Sequence, residues 1–383
     1  MKITDSIIYA GVTDSTIDLF ESQYKVPNGI TYNSYVIMDE KTAIMDTVDK
    51  RGTKQWLKNI QEVLEGKEPD YLVISHMEPD HGGNVKKLCD MYPKMKIVGN
   101  AKTFAFVGQF FDIDGFNDRK VTVAEGDELS LGNHKLTFYM APMVHWPEVM
   151  VTYEKTEKVL FSADAFGRFG NFDEKEPWDD EAARYYLNIV GKYGVQVQAL
   201  LKKAAALDIE AICPLHGPVL RENLPHYIEK YNKWSSYEPE EKGVLVAYAS
   251  IHGNTKEAAL KFADMLKEKG VNVTAMDLTR DDMSEAVSKA FFYDTVILAA
   301  STYDGGVFLP MEDFLHHLKS KNFCKRKIGF IENGTWGPVA AKTMKTIAEG
   351  FKEITFIEPV VTIKSVMRES TIAEMEKLAD NIR

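Results

Sequence analysis

Between Ile74 and Gly83 the chain runs Ile-Ser-His-Met-Glu-Pro-Asp-His-Gly-Gly, which packs His76, Glu78, Asp80 and His81 into six residues. Imidazole nitrogens and carboxylate oxygens are the ordinary ligands of redox and Lewis-acid metals, so this group has the chemistry to hold cations. It follows the apolar run Leu72-Val73-Ile74, which places it at a strand end. Pro79 argues against a continuous helix through the motif, so a loop with converging side chains is expected. Gly82-Gly83 would let the chain turn closely before the next helix. A solvated loop capped by Asp80 would leave His76 and His81 without a role.

Three later residues follow other apolar runs and could join the same site: His145 after Leu136–Met140, Asp164 after Val159–Ala163, and His216 in Cys213-Pro214-Leu215-His216-Gly217-Pro218. Singly, each suits a core or capping role as well as a ligand. His226, in Leu224-Pro225-His226-Tyr227, is an alternative to His216. His216 is preferred because Pro and Gly hold it on a loop, whereas His226 opens a surface helix. Four imidazoles, three carboxylates and no thiolate make an oxygen-rich set suited to iron or manganese, although ligand type alone leaves zinc open. Were the set to hold two octahedral metals, seven side chains could not fill them, and positions for a small ligand would stay open.

A second constellation lies further on. Ser250-Ile251-His252-Gly253-Asn254-Thr255 joins an apolar strand to a helix, where unpaired helix-end amides and nearby hydroxyls suit a phosphate. It lacks both the Gly-Lys-Ser/Thr ending of a nucleotide-binding P-loop and the GxGxxG spacing, which favours a monophosphate. An ordinary capped helix is the plainer alternative for this loop alone. Ser301-Thr302-Tyr303-Asp304-Gly305-Gly306 and Asn333-Gly334-Thr335-Trp336-Gly337 follow two more strands and each adds an aromatic ring. Tyr303 or Trp336 could stack on a flat cofactor, or equally serve a core or interface. Loops at the carboxyl ends of parallel strands are where open α/β sheets bind ligands.

The elements that must carry these loops change character near residue 240. Before it come many short β-rich runs, including Thr31–Asp39, Tyr71–Ser75, Lys96–Gly99 and Lys135–Met140, broken by helical stretches such as Gly52–Leu64 and Asp180–Lys192. After the polar segment Ser235–Gly243, read as a linker, strands and helices alternate: Val244–Ala249, Thr255–Lys269, Asn272–Asp277, Met283–Ala290, Thr295–Ala300, Leu309–Leu318, Lys327–Glu332, Pro338–Ala348, and a last helix Thr371–Arg383. Two domains are expected, residues 1–240 and 241–383, as 383 residues exceed one ordinary core. Three widely spaced cysteines, Cys89, Cys213 and Cys324, form no CxxC pair and read as packed thiols. A net charge of -11 argues against nucleic-acid binding. No run is apolar enough for a membrane span or a secretion signal, so a cytoplasmic protein is expected.

The series His76-x-Glu78-x-Asp80-His81, His145, Asp164 and His216 resembles the metal-ligand set of the flavodiiron proteins, whose N-terminal domain has the metallo-beta-lactamase fold. Zinc hydrolases of that fold typically carry histidine where Glu78 stands. The three later loops resemble the phosphate loop and two ring-flanking loops of flavodoxins, so the resemblance spans essentially the whole chain. It implies an α/β protein with an N-terminal metallo-beta-lactamase-like αββα sandwich and a C-terminal flavodoxin-like doubly wound parallel sheet. It implies two iron ions, with His76, Glu78 and His145 on one, Asp80, His81 and His216 on the other, and Asp164 between them. It implies FMN, its phosphate at Ser250–Thr255 and its ring near Thr302–Gly306 and Asn333–Gly337. The implied activity is reduction of O2 to water, or of NO to N2O. Electrons would come from a rubredoxin or a flavoprotein reductase, since no NAD(P) fingerprint is present. The implied assembly is a head-to-tail homodimer or a dimer of dimers. Competing readings are a dizinc hydrolase of the same fold and a non-catalytic flavin electron carrier.

Overall fold

The N-terminal strands are short because the apolar runs that form them are short. The computed structural model describes residues 1–173 and 176–382. Ile7–Tyr9, Tyr35–Ile37, Ala43–Met45, Tyr71–Val73, Lys96–Gly99 and Lys120–Thr122 lie in that order as one sheet. Glu128–Ser130, Lys135–Met140, Met150–Glu154, Val159–Phe161 and Ala211–Cys213 form a second. Successive side chains of a strand face opposite sides of its sheet. Ile37, Met45, Val73 and Val98 therefore meet Phe138, Phe161, Ala211 and Cys213 in one core between the sheets. The intervening Val36, Ile44, Leu72 and Ile97 face outward and are just as buried, as a sheet face covered by helices requires. Helices Thr53–Leu64, Val85–Met91 and Ala101–Phe110 bury Trp56, Ile60, Leu88 and Val107. This is the expected αββα sandwich.

Beyond it, Val273–Asp277, Glu241–Ala249, Tyr293–Tyr303, Lys327–Asn333 and Thr355–Ile363 run parallel in that spatial order. The second strand in sequence thus lies outside the first, and the sheet grows in both directions, as in a doubly wound fold. The inner stretches Val244–Ala249 and Val296–Ala300 of its central strands are apolar and buried, because helices cover both faces. Helix Asn254–Glu268 buries Ala258, Ala259, Phe262, Ala263 and Leu266, an apolar stripe of helical period. All three cysteines are buried and free.

The chain divides into two compact units, Met1–Tyr186 with Tyr193–Asn232, and Leu187–Lys192 with Lys233–Arg383. Residues 187–192 and 233–240 thus go with the second unit, whereas the sequence division lay at 240. In the second unit Asn188 donates to the Ser284 carbonyl at 3.0 Å, and the Tyr237 hydroxyl to that of Gly191 at 2.9 Å.

Several elements differ from expectation. Pro79 opens a one-turn helix, Pro79–Gly82, instead of preventing one. At the first helical position its missing N–H has no partner to lose. The run expected as one strand over Thr31–Asp39 is two, Ile30–Tyr32 and Tyr35–Ile37, parted at Asn33-Ser34. The helix expected over Asp180–Lys192 keeps α geometry only through Tyr185, then widens and tightens over Tyr186–Tyr193. The segment read as a linker already joins the sheet at Glu241. Strand Thr355–Ile363 was not anticipated, and Arg383, expected to end the last helix, lies outside the described residues.

One buried cation organises the second unit. Arg326 is 2% exposed and donates to the carbonyls of Tyr237 at 2.7 Å and Phe291 at 2.5 Å. Arg326→Met will remove the guanidinium donor from both carbonyls and destabilise this unit by about 3 kcal/mol, at roughly 1.5–3 kcal/mol per lost charged hydrogen bond. Urea unfolding followed by near-UV circular dichroism will show the loss as an earlier transition of this unit.

Candidate metal centre and flavin cleft

The split at Asn33-Ser34 sets the floor of the first site. Asn33 donates to the carbonyls of Pro214 and Gly217, both at 2.8 Å, and so fixes the loop that carries His216. The His216 Nδ1 donates to the Thr31 carbonyl at 2.6 Å, which turns Nε2 inward. Asp46 accepts from the Ser75 amide at 2.7 Å and its hydroxyl at 2.6 Å, locking the strand end just before His76. Glu148 accepts from the Met77 amide at 2.8 Å, one residue further on.

These supports bring all seven expected metal residues together. Asp164 stands in the middle: its Oδ2 lies 3.2 Å from His76 Nε2 and 3.0 Å from His145 Nε2, and its Oδ1 3.4 Å from His81 Nε2. Glu78 Oε2 lies 2.9 Å from His145 Nε2 and 3.6 Å from His76 Nε2. On the other side, Asp80 Oδ2 lies 3.2 Å from both His81 Nε2 and His216 Nε2. Two pockets of ligand atoms result, His76, Glu78 and His145 on one flank and Asp80, His81 and His216 on the other. His226 is elsewhere, on helix Leu224–Ser235, 2.7 Å from Asp179 of helix Asp179–Tyr185.

The electrostatics call for positive charge at the centre. Burial alone would lower the His81 and His145 pKa values. The Asp80 and Asp164 carboxylates instead raise His81 to about 9, and hydrogen bonds that the His145 ring donates to Asp164 and Glu78 raise it to about 10. Burial would raise Asp164, yet His76, His145 and His81 hold it well below the usual carboxylate range. Among the described residues, His76 Nε2, both Asp80 carboxylate oxygens and Asp164 Oδ1 are buried without a hydrogen-bond partner. Each such atom costs on the order of 1–3 kcal/mol if left unmatched. Divalent cations in the two pockets would satisfy all of them, so the donor set fits a two-metal centre.

Because outer groups orient ligands, Asp46→Ala should weaken metal binding by about 10–100-fold without touching a ligand. Iron retained after dialysis against a chelator will measure it; retention equal to the parent protein would remove Asp46 from that role.

Residues that the sequence did not single out wall the centre. Phe20, Tyr32 and Tyr185 rings lie 5.3, 5.9 and 5.4 Å from the His216 ring. A cleft of about 510 Å³ leads from solvent to Glu78 and Asp80 between Leu19–Ser22, Tyr32 and Arg51. Nothing in their spacing marks them: Phe20 and Tyr32 come from two- and three-residue strands, and Tyr185 ends the short helix Asp179–Tyr185. Trp146 stands 6.4 Å from the His76 ring.

In the second unit the three loops surround a cleft of about 520 Å³. Ser250, Ile251, His252, Asn254 and Thr255 line one end; Ser301–Gly305 and Asn333–Gly337 line the rest. Gly253 and Gly306 do not line it. Gly253 turns the chain into its helix at φ +96°, a conformation costly for other residues, and Gly306 pairs back on Tyr303. The helix has no side-chain cap, so its first amides are open to an anion. Thr255 and Ser301 hydroxyls meet at 2.8 Å beside it. Trp336 is 95% exposed and Tyr303 44%, leaving ring faces at the rim. Thr302 does otherwise than expected, its hydroxyl accepting from the Val339 and Ala340 amides at the next helix start. Ser365, which was not foreseen, completes the wall and bonds Thr335 and Asn333. A cleft with an open helix end, hydroxyls and exposed rings fits a flavin monophosphate.

Known proteins place the same two halves together. The family model "ODP family beta lactamase" matches residues 30–217, and "Flavodoxin domain" matches 245–356. The rubredoxin-oxygen oxidoreductase of Megalodesulfovibrio gigas is 30% identical over 393 residues, covering 98% of this chain and 95% of that one. A nitric oxide reductase of Moorella thermoacetica is 29% identical over 395 residues, covering 100% and 98%. The solved rubredoxin oxygen:oxidoreductase of Desulfovibrio gigas superposes with a TM-score of 0.92 at 28% identity, over 100% of this chain and 97% of that one. With a sandwich that carries a candidate metal centre and a flavodoxin-like sheet in one chain, and full-length relatives built the same way, the chain belongs to the flavodiiron protein family.

Proposed function

We propose that the chain reduces O2 to water, using two iron ions held by His76, Glu78, Asp80, His81, His145, Asp164 and His216, and FMN held by the three loops of the second unit. The observation that carries this is the central carboxylate, Asp164, facing ligand pockets on both of its oxygens. When bound, FMN stores electron pairs and releases them singly, and two irons supply redox capacity beside a gas. Together they can hold the four electrons that, with four protons taken from solvent, turn O2 into two waters. The chain's own part is positional. Asp164 sets the spacing of the pockets, Asp80 and Glu78 neutralise charge on each flank, and the Phe20, Tyr32 and Tyr185 rings keep bulk water from His216. The cleft beside Glu78 and Asp80 admits a small neutral molecule. In the second unit Ser250, Asn254 and Thr255 would take the phosphate, and Tyr303 and Trp336 would flank the ring.

A second reading, reduction of two NO to N2O and water with two electrons and two protons, is favoured by the Moorella relative named for it, as close in identity and coverage as the oxygen reductase. Steady-state turnover of O2 and of NO by the same iron- and FMN-loaded protein, with one reduced donor, decides. Efficient NO turnover with poor O2 turnover would reverse the assignment. The proposed donor is a rubredoxin or a flavoprotein reductase. The proposed working form is a head-to-tail homodimer in which each flavin cleft serves the partner's metal centre. A verified monomer should keep both cofactors and lose gas reduction; undiminished flavin-to-iron transfer in that monomer would sink the dimer proposal. No helix among the described residues is long and apolar enough to cross a membrane.

A further inference from the structure

Strand Met150–Glu154 has a functional residue set at each end. Met150 donates to the Ser75 carbonyl beside the metal centre. Glu154, at the far end, belongs to a different cluster with His134 and Glu157, whose ligand-type atoms all lie within 4.8 Å of one another. His134 is 6% exposed. Its Nδ1 stands 3.0 Å from Asp39 Oδ2, and its backbone amide donates to the same oxygen at 2.6 Å. Asp39 is itself held by the Asn133 side-chain amide at 3.0 Å.

An imidazole nitrogen this close to a carboxylate is the one that carries the proton, so Nδ1 donates and Nε2 is left to face the cluster. The same carboxylate–imidazole pairing orients histidine ligands in metalloproteins. Nε2 is buried and, among the described residues, has no hydrogen-bond partner. It lies 3.5 Å from Glu157 Oε2. That separation is too long and too poorly aligned for a hydrogen bond, yet it is close to the ~3.4 Å edge of a tetrahedron with ligands about 2.1 Å from zinc. Glu154 is fully buried, and its two oxygens accept the Thr156 and Glu157 amides at 2.8 and 2.7 Å, which fixes the carboxylate in place with lone pairs to spare. Glu157 is steadied in turn by the Thr4 hydroxyl. In the metal centre His76 Nε2 and Asp80 Oδ2 likewise lie 3.2–3.6 Å from carboxylate and imidazole atoms without a hydrogen-bond partner.

We propose that His134 Nε2, Glu154 and Glu157 form a second, mononuclear site for zinc, remote from the two-metal centre, with Asp39 orienting the imidazole and water completing the tetrahedron. One imidazole and two carboxylates without thiolate suit zinc, and a site with three protein ligands is complete once water is bound. Through Thr4 and Asp39 the cation would fasten the N-terminal residues and the turn before Lys135 to the end of strand Met150–Glu154. Zinc bound to the folded form alone then raises thermal stability in proportion to the logarithm of its concentration.

The test equilibrates iron- and FMN-loaded protein with Zn²⁺, removes free metal, and counts zinc and iron in the same sample. One zinc per chain with iron undiminished is expected, together with a zinc-edge anomalous peak beside His134 Nε2 in crystals. Glu157→Gln, which leaves the Asp39–His134 pair intact, should weaken zinc binding by at least ~10-fold and erase the zinc-dependent rise in melting temperature. His134→Gln should abolish the site. If His134→Gln fails to fold, Glu157→Gln alone decides. Zinc uptake matched by iron loss, or uptake equal in the parent protein and Glu157→Gln, would overturn the proposal. Absence of the anomalous peak would do the same, leaving His134 as a structural residue held by Asp39.

Discussion

Asp164→Ala should lower O2 reduction by more than ~100-fold while FMN content stays that of the parent protein. Groups that merely orient metal ligands change affinity or activity by about 10–100-fold, and Asp164 touches imidazoles on both flanks of the centre rather than orienting one. Its two oxygens lie 3.0–3.4 Å from His76, His145 and His81. Truncation leaves those three rings facing a gap, with two carboxylates in place of three to balance the cations. Iron content and O2 consumption measured together separate the causes. Lost iron means that the bridge holds the metals, whereas retained iron with lost turnover means that it spaces them. Activity within about threefold of the parent protein at full iron content would remove Asp164 from the centre.

The double substitution Ser250→Ala/Thr255→Val should raise the Kd for FMN by about 10²–10⁴-fold and leave iron untouched. Hydrogen bonds to a charged group are worth roughly 1.5–3 kcal/mol each, and two hydroxyls are removed at the helix end. Valine keeps the shape of the buried Thr255 side chain, so helix packing is preserved. Its lost contact is the 2.8 Å hydroxyl pair with Ser301. Titration of apoprotein with FMN by fluorescence quenching gives the affinity directly. Unchanged affinity would move the phosphate away from this loop.

The metal motif was legible because four of its residues are neighbours in sequence and their chemistry has few other uses. His145, Asp164 and His216 were harder, since each is a lone residue after a short strand. The local Pro and Gly favoured His216 over His226, but the contact that holds its loop in place comes from Asn33, 181 residues before Pro214. No local pattern encodes such a pairing. Pro79 misled because its helix-breaking effect was applied to the motif as a whole, while at a first helical position it does no harm. Strand Thr355–Ile363 escaped for a related reason. Pro359 weakens a strand reading, but this strand lies at the sheet edge, where a missing N–H is tolerated. Ser365, which follows that strand, was lost with it. The cluster of Asp39, His134, Glu154 and Glu157 was invisible because its members are scattered polar residues brought together only by strand register.

The short segment Leu187–Lys192 has a meaning for how such chains can be recombined. It is encoded within the first 240 residues, yet it packs as part of the flavodoxin-like unit through Asn188 and Gly191. A gene fusion that exchanges the C-terminal module at residue 240 would deliver a replacement without residues 187–192 and 233–240, which complete it. The heritable module is therefore discontinuous, and modular swapping within this family has to carry two pieces of sequence to move one piece of structure.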